Sequence, residues 1–87
     1  MSIIVRGRVQ GVGFRFFTAH SARKHLLSGW VRNSFDGSVA IEVQGPVSVL
    51  GTFREEVNAG PVLARVKEMV VTELPVIPDE RGFEVRY

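Results

Sequence analysis

Asp36-Gly37 lies between two runs that both read as strands, Trp30–Phe35 and Val39–Gln44, and constrains this chain more than any other pair of residues. Aspartate and glycine tolerate the positive φ of a tight turn, so the dipeptide predicts an antiparallel hairpin. The returning run alternates cleanly, with Val39, Ile41 and Val43 on one side and Ala40, Glu42 and Gln44 on the other. Period two with one apolar side marks a half-buried strand, which needs other elements laid over that side.

The flanking sequence supplies them. Ile3, Val5, Gly7 and Val9 alternate against Ile4, Arg6 and Arg8, predicting a first strand over 3–9. The period then changes: Phe16, Ala19, Ala22 and Leu26 share a helical face, with Leu27 at its margin. This predicts an amphipathic helix over 15–26, with Phe17 off the stripe and either partly exposed or resting on a neighbouring loop. Ser28-Gly29 breaks the pattern before the hairpin. After it, Gly45-Pro46 opens a second helix, proline suiting the first helical position. Val49 or Leu50, Phe53 and Val57 form its buried stripe, and Gly60-Pro61 ends it.

Residues 64–74 are strand-like but mixed in phase: Val66, Glu68 and Val70 follow one register, Met69 and Val71 the other, and a bulge would reconcile them. Pro75 to Gly82 is expected to be a loop and the most mobile part. Phe83, Val85 and Tyr87 alternate with charged residues as a short terminal strand. The order β-α-β-β-α-β predicts an α+β, ferredoxin-like sandwich: an antiparallel sheet with both helices on one face, plus a short C-terminal strand. That architecture hosts many chemistries, so function must come from a site.

The 87 residues suffice for a single domain over 1–87 and not for two. No apolar run approaches the roughly 20 residues of a membrane span, and no signal-peptide pattern precedes the first strand. A cytoplasmic location is therefore expected. The absence of cysteine excludes disulfides, thiol catalysis and cysteine-based zinc sites. Net charge is only +2, yet Arg6, Arg8, Arg15, Arg23, Lys24 and Arg32 meet no acid before Asp36. This asymmetry suits a small anionic ligand or nucleic acid, a solvated basic face being the plainer alternative.

Gly7-Arg8-Val9-Gln10-Gly11-Val12-Gly13-Phe14-Arg15 joins the first strand to the first helix. Glycines let backbone N–H groups converge, and the helix start adds unpaired donors and a positive dipole end. Together these can hold an oxyanion, and Arg15 would add a planar charged fork. The same pattern can be nothing more than a tight connection, and neither a Gly-Lys-Ser/Thr signature nor a third dinucleotide-type glycine accompanies it. Asn33 likewise reads in isolation as a strand-end asparagine bonded to nearby backbone.

Val5-x-Gly7-x-Val9-Gln10-Gly11-Val12-x-Phe14-Arg15 resembles the first signature of the acylphosphatase family. Gly29-Trp30-Val31-Arg32-Asn33, followed by Asp36-Gly37, Val39 and Gly45, resembles the second. Thr18, Ala22 and Gly60-Pro61 extend the resemblance over essentially the whole chain. The resemblance implies hydrolysis of the carboxyl–phosphate bond of acyl phosphates, without metal or other cofactor. It makes Arg15 and the loop backbone of Gln10, Gly11, Val12, Gly13 and Phe14 the phosphate cradle, and Asn33 the residue orienting the attacking water. Asn33 is expected on the helix-covered strand face with Val31 and Phe35. Inorganic phosphate would be product and inhibitor.

The family's leucine-glycine end to the first helix is replaced by His25 and Leu26, which moves a left-handed cap onto a less suitable residue or removes it. His20 and His25 read as surface histidines, and Trp30 as packing beside the site. Glu55, Glu56, Glu68 and Glu73 read as solvated carboxylates, while Arg86 and the C-terminal carboxylate of Tyr87 could reach the site's edge. Two alternatives remain. A non-catalytic phosphate- or effector-binding module is one, because similar domains begin larger hydrogenase-maturation proteins that use carbamoyl phosphate. The chain's end just after its last strand favours a free-standing enzyme, and a monomer is expected. RNA binding is the other, opposed by the lack of aromatics at the outward positions of the first and third strands. No membrane partner is expected.

Overall fold

The computed structural model describes residues 1–87. Its elements are β1 (Ser2–Arg8), α1 (Phe14–Lys24), β2 (Ser28–Asn33), β3 (Val39–Gln44), α2 (Val47–Ala59), β4 (Arg65–Thr72) and β5 (Phe83–Arg86). The sheet order is β4-β1-β3-β2-β5. The first four strands pair antiparallel, as the ferredoxin-like order predicts, whereas β5 runs parallel to β2 and makes the sheet mixed. That direction follows from the 73–82 connection, which carries the chain from the β4 edge to the opposite one. Gln44 clasps both backbone groups of Ile77 at 2.8 Å, and the Gly29 N–H donates to the Gly82 carbonyl at 3.0 Å.

Ile3, Val5, Val31, Val39, Ile41, Val43 and Phe83 from the sheet meet Phe14, Ala19, Ala22, Phe53 and Val57 from the helices in one buried core. The bulge falls between Arg6 and Gly7, whose partners are Glu68 and Val66, so Lys67 is the extra residue. It turns Val66 to the same side as Met69 and Val71, and all three pack on the core.

The face of α1 differs from the expected one. The helix starts at Phe14, and Phe14, Thr18, Ala19, Ser21 and Ala22 are buried. Phe16 and Leu26, assigned inward by the sequence pattern, are 62% and 91% exposed. Small Thr and Ser side chains occupy the stripe beside alanine, a combination that hydropathy scores as polar although both are buried, Ser21 against Glu56 of α2. Phe17 is half-buried, its ring 6.2 Å from that of Phe14.

β2 also sits two residues earlier than expected. Gly29 has φ 145°, and a Cβ there would lie 1.9 Å from the Glu42 carbonyl oxygen, so only glycine lets β2 approach β3 at that point. The strand ends at Asn33, which leaves Phe35 in the turn and fully exposed instead of on the covered face. Asp36 Oδ1 closes this turn by accepting the Ser38 N–H at 3.0 Å and the Ser38 hydroxyl. Arg6 on β1 reaches across to the other Asp36 oxygen at 2.9 Å.

The end of α1 fulfils the expectation for a chain lacking the glycine. Leu26 takes the left-handed conformation, φ 57°. The Leu27 N–H donates to the Ala22 carbonyl at 2.9 Å and the Leu26 N–H to Arg23 at 3.1 Å, which is a Schellman closure on a leucine.

Candidate active site

The loop from Val9 to Phe14 leaves the β1 end and turns into α1 through two left-handed glycines, Gly11 at φ 74° and Gly13 at φ 78°. A Cβ at either would meet no protein atom within 4 Å, so these glycines serve the backbone path and keep the space above it open. The first helical hydrogen bond runs from the Phe17 N–H to the Gly13 carbonyl, and no side chain caps the helix. The N–H groups from Gly11 to Phe16 thus have no hydrogen-bond partner within the chain. They stand at the positive end of α1, where an oxyanion is favoured.

Arg15 lies in the first turn of α1. Its Nη1 donates to the Arg86 carbonyl at 3.1 Å, and its guanidinium carbon lies 4.5 Å from the centre of the Tyr87 ring. No carboxylate pairs with it. The remaining guanidinium donors therefore keep their full charge for an incoming anion. Asn33, at the last position of β2, is partly exposed and its amide makes no hydrogen bond within the chain. Val9, Gly11, Gly13, Phe14, Arg15, Phe16 and Asn33 line one depression of about 120 Å³. The fold thus brings Arg15 and Asn33 together with the glycine loop.

Gln10 contributes by a route that the sequence concealed. Its Nε2 donates to the Ser34 carbonyl at 2.8 Å and the Ser38 carbonyl at 2.9 Å. One side chain thereby ties the loop to the turn that follows Asn33. Tyr87 was expected through its terminal carboxylate, and it is the ring that meets Arg15.

Elsewhere, three other basic residues of the first third are occupied structurally. Arg6 pairs with Asp36 and Glu68, Lys24 with Glu56, and Arg23 donates twice to the Phe83 carbonyl. Glu56 is not the solvated carboxylate expected: it accepts from Lys24 Nζ at 2.8 Å and from the Ser21 hydroxyl, and contacts His25 Nε2 at 2.9 Å. These bonds, that of Lys24 foremost, lower its pKa from 4.5 to about 2. His25 is therefore a half-buried partner of Glu56, while His20 is exposed. No three His, Cys, Asp or Glu side chains converge. No helix is long and apolar enough to cross a membrane. Trp30 stands on the open face of the sheet with the Arg86 and Arg32 guanidinia 4.9 and 5.2 Å from its ring, an aromatic that the first and third strands alone did not reveal.

The family profile described as acylphosphatase matches residues 1–85. The chain belongs to the acylphosphatase family. It is 46% identical over 85 residues to an acylphosphatase of Geobacillus thermodenitrificans, covering 98% of this chain and 90% of that one. A crystal structure of acylphosphatase from Bacillus subtilis superposes with a TM-score of 0.95 at 43% identity, covering 99% of this chain and 96% of the other. A crystal structure of full-length HypF in a phosphate- and nucleotide-bound form matches 99% of this chain with a TM-score of 0.86 at 32% identity, over 11% of its own length. Within this acylphosphatase-family fold, both signatures meet at one place: the first forms the loop and helix entrance, and the second contributes Asn33.

Proposed function

We propose that this chain is an acylphosphatase, hydrolysing acyl phosphates to a carboxylate and inorganic phosphate. The observation that carries this reading is the joint lining of one depression by unpartnered loop N–H groups, Arg15 and Asn33. The N–H groups of Gly11, Val12, Gly13 and Phe14, with Arg15, hold the phosphoryl oxygens, the loop starting from Gln10. The Asn33 amide oxygen accepts a hydrogen bond from the attacking water, and its NH₂ can donate one. Water oxygen bonds to phosphorus as the bridging P–O bond breaks, and that bond's electron pair leaves with the carboxylate. The water proton passes to a phosphoryl oxygen, giving dihydrogen phosphate, so no protein base is required. The carboxylate is a good leaving group, and catalysis reduces to positioning and charge stabilisation. The enzyme works as a single-domain monomer in the cytoplasm, without a metal or other cofactor.

The test is hydrolysis of benzoyl phosphate with and without a chelator. Turnover should survive chelation, be inhibited competitively by inorganic phosphate, and be absent with a phosphate monoester. Loss of activity on chelation would refute the metal-free mechanism. Phosphate binding without turnover would favour a non-catalytic phosphate-binding module, the reading suggested by the phosphate-bound structural neighbour.

A further inference from the structure

The depression of about 120 Å³ is lined by the glycine loop, Arg15 and Asn33 and opens to solvent on its outer side, where an acyl chain joined to a bound phosphoryl group emerges. The chain must therefore leave past the rim. Asn33 belongs to that rim and also lines a second, larger cleft of about 580 Å³, together with Arg32, Ser34, Phe35, Arg86 and Tyr87. The two spaces share a further boundary, because the Arg86 carbonyl and the Tyr87 ring that hold Arg15 belong to the residues of the second cleft.

The chemistry of this cleft is specific. Phe35 and Tyr87 expose their rings almost fully on its walls. Arg86 is half-satisfied by Glu84 at 3.2 Å, whereas Arg32 has no acidic partner. Both guanidinia lie against Trp30, which restrains them without neutralising them. An unpaired, ring-supported guanidinium beside two exposed aromatic rings suits a flexible chain ending in a carboxylate, held by a two-pronged charge-assisted hydrogen bond.

We propose that the cleft between the Arg32–Phe35 segment and the Arg86–Tyr87 terminus is the acyl subsite, and that Arg32 selects acyl phosphates whose acyl chain carries a second carboxylate. This rests on the hydrolytic reading above. Succinyl phosphate and butanoyl phosphate have the same carbon count and differ at the far end, carboxylate against methyl. At low ionic strength the native protein should show a kcat/KM about tenfold higher for succinyl phosphate, the discrimination available from one charge-assisted hydrogen bond. Arg32→Gln should bring the ratio close to one, and Arg32→Lys should keep part of it. Arg65→Gln removes the same charge from β4, the opposite edge strand, and should leave the ratio as it was. Equal kcat/KM values for the native protein would overturn the subsite alone. So would an equal fall in the ratio for Arg32→Gln and Arg65→Gln, since that reports the field of the whole protein. Turnover of neither substrate would overturn the hydrolytic reading, and the subsite with it.

Discussion

Arg15 has a long side chain whose free rotation would weaken any transition-state contact. The Arg86 carbonyl at 3.1 Å and the Tyr87 ring at 4.5 Å restrain it before substrate arrives. Restraint of this kind lowers the entropy lost on forming the proposed phosphate contact. Arg15→Ala should reduce kcat/KM for benzoyl phosphate by at least about 10²-fold, as the loss of a preorganised oxyanion donor does, and weaken inhibition by phosphate. Asn33→Ala should remove most turnover while leaving the phosphate inhibition constant near its original value, because Asn33 is assigned to the water and not to the anion. A fully active Asn33→Ala enzyme would refute that role.

Gln10 is the hinge between two elements, since its amide binds carbonyls on both sides of the β2–β3 turn. Gln10→Ala would leave the loop anchored by its backbone only. Two lost hydrogen bonds cost about 1–3 kcal/mol, and a loop displaced by a fraction of an ångström should lower kcat about tenfold. Steady-state kinetics read the second effect and denaturant unfolding the first; unchanged kcat would show that the loop holds its place without Gln10. Leu26 ends α1 in a left-handed conformation that a β-carbon disfavours by about 1–2 kcal/mol, and its exposed side chain gives little packing in return. Leu26→Gly should therefore raise stability by about 1 kcal/mol, some of the gain being offset by the freer unfolded chain. For a domain of this size that is a Tm increase of about 4–8 °C in calorimetry.

Charged clusters at opposite ends of the molecule set its response to acid. Glu56 joins α2 to the end of α1 through Lys24, Ser21 and His25, with its pKa lowered from 4.5 to about 2. Asp36 in the hairpin turn is also depressed, by the Ser38 hydroxyl and N–H and then by Arg6. A carboxylate with a lowered folded-state pKa favours the folded state fully above its unfolded value and loses that contribution as pH falls through the folded value. Stability should therefore decline between about pH 4.5 and pH 2. Glu56→Gln should lower Tm at pH 7 and flatten that acid slope; an unchanged slope in thermal melts would show that Glu56 is not a major contributor to it.

The parts of this fold legible from the sequence are those whose chemistry is local. The Asp36-Gly37 turn, the alternation of Val39, Ile41 and Val43, the glycine loop and the Leu26 cap each depend on neighbours within a few residues. Arg15 and Asn33 were singled out because each sits in its own compact signature. Features lost to sequence reading have partners far along the chain. Gln10 bonds a residue 24 positions away, Glu56 one 35 away, and Arg15 one 71 away. The buried face of α1 differs from the expected one because Thr18 and Ser21 are buried where the larger Phe16 is not, Ser21 against Glu56 of α2, and no periodicity encodes such distant neighbours. Backbone preference and turn chemistry act over one or two turns of chain, and so they write the elements and the glycine loop into the amino-acid order, while the proposed roles of Arg15 and Asn33 come from the resemblance of their two signatures to those of the family. Packing brings together residues that the chain keeps apart, and it alone sets the direction of β5, the Tyr87 ring against Arg15 and the cleft beside Asn33.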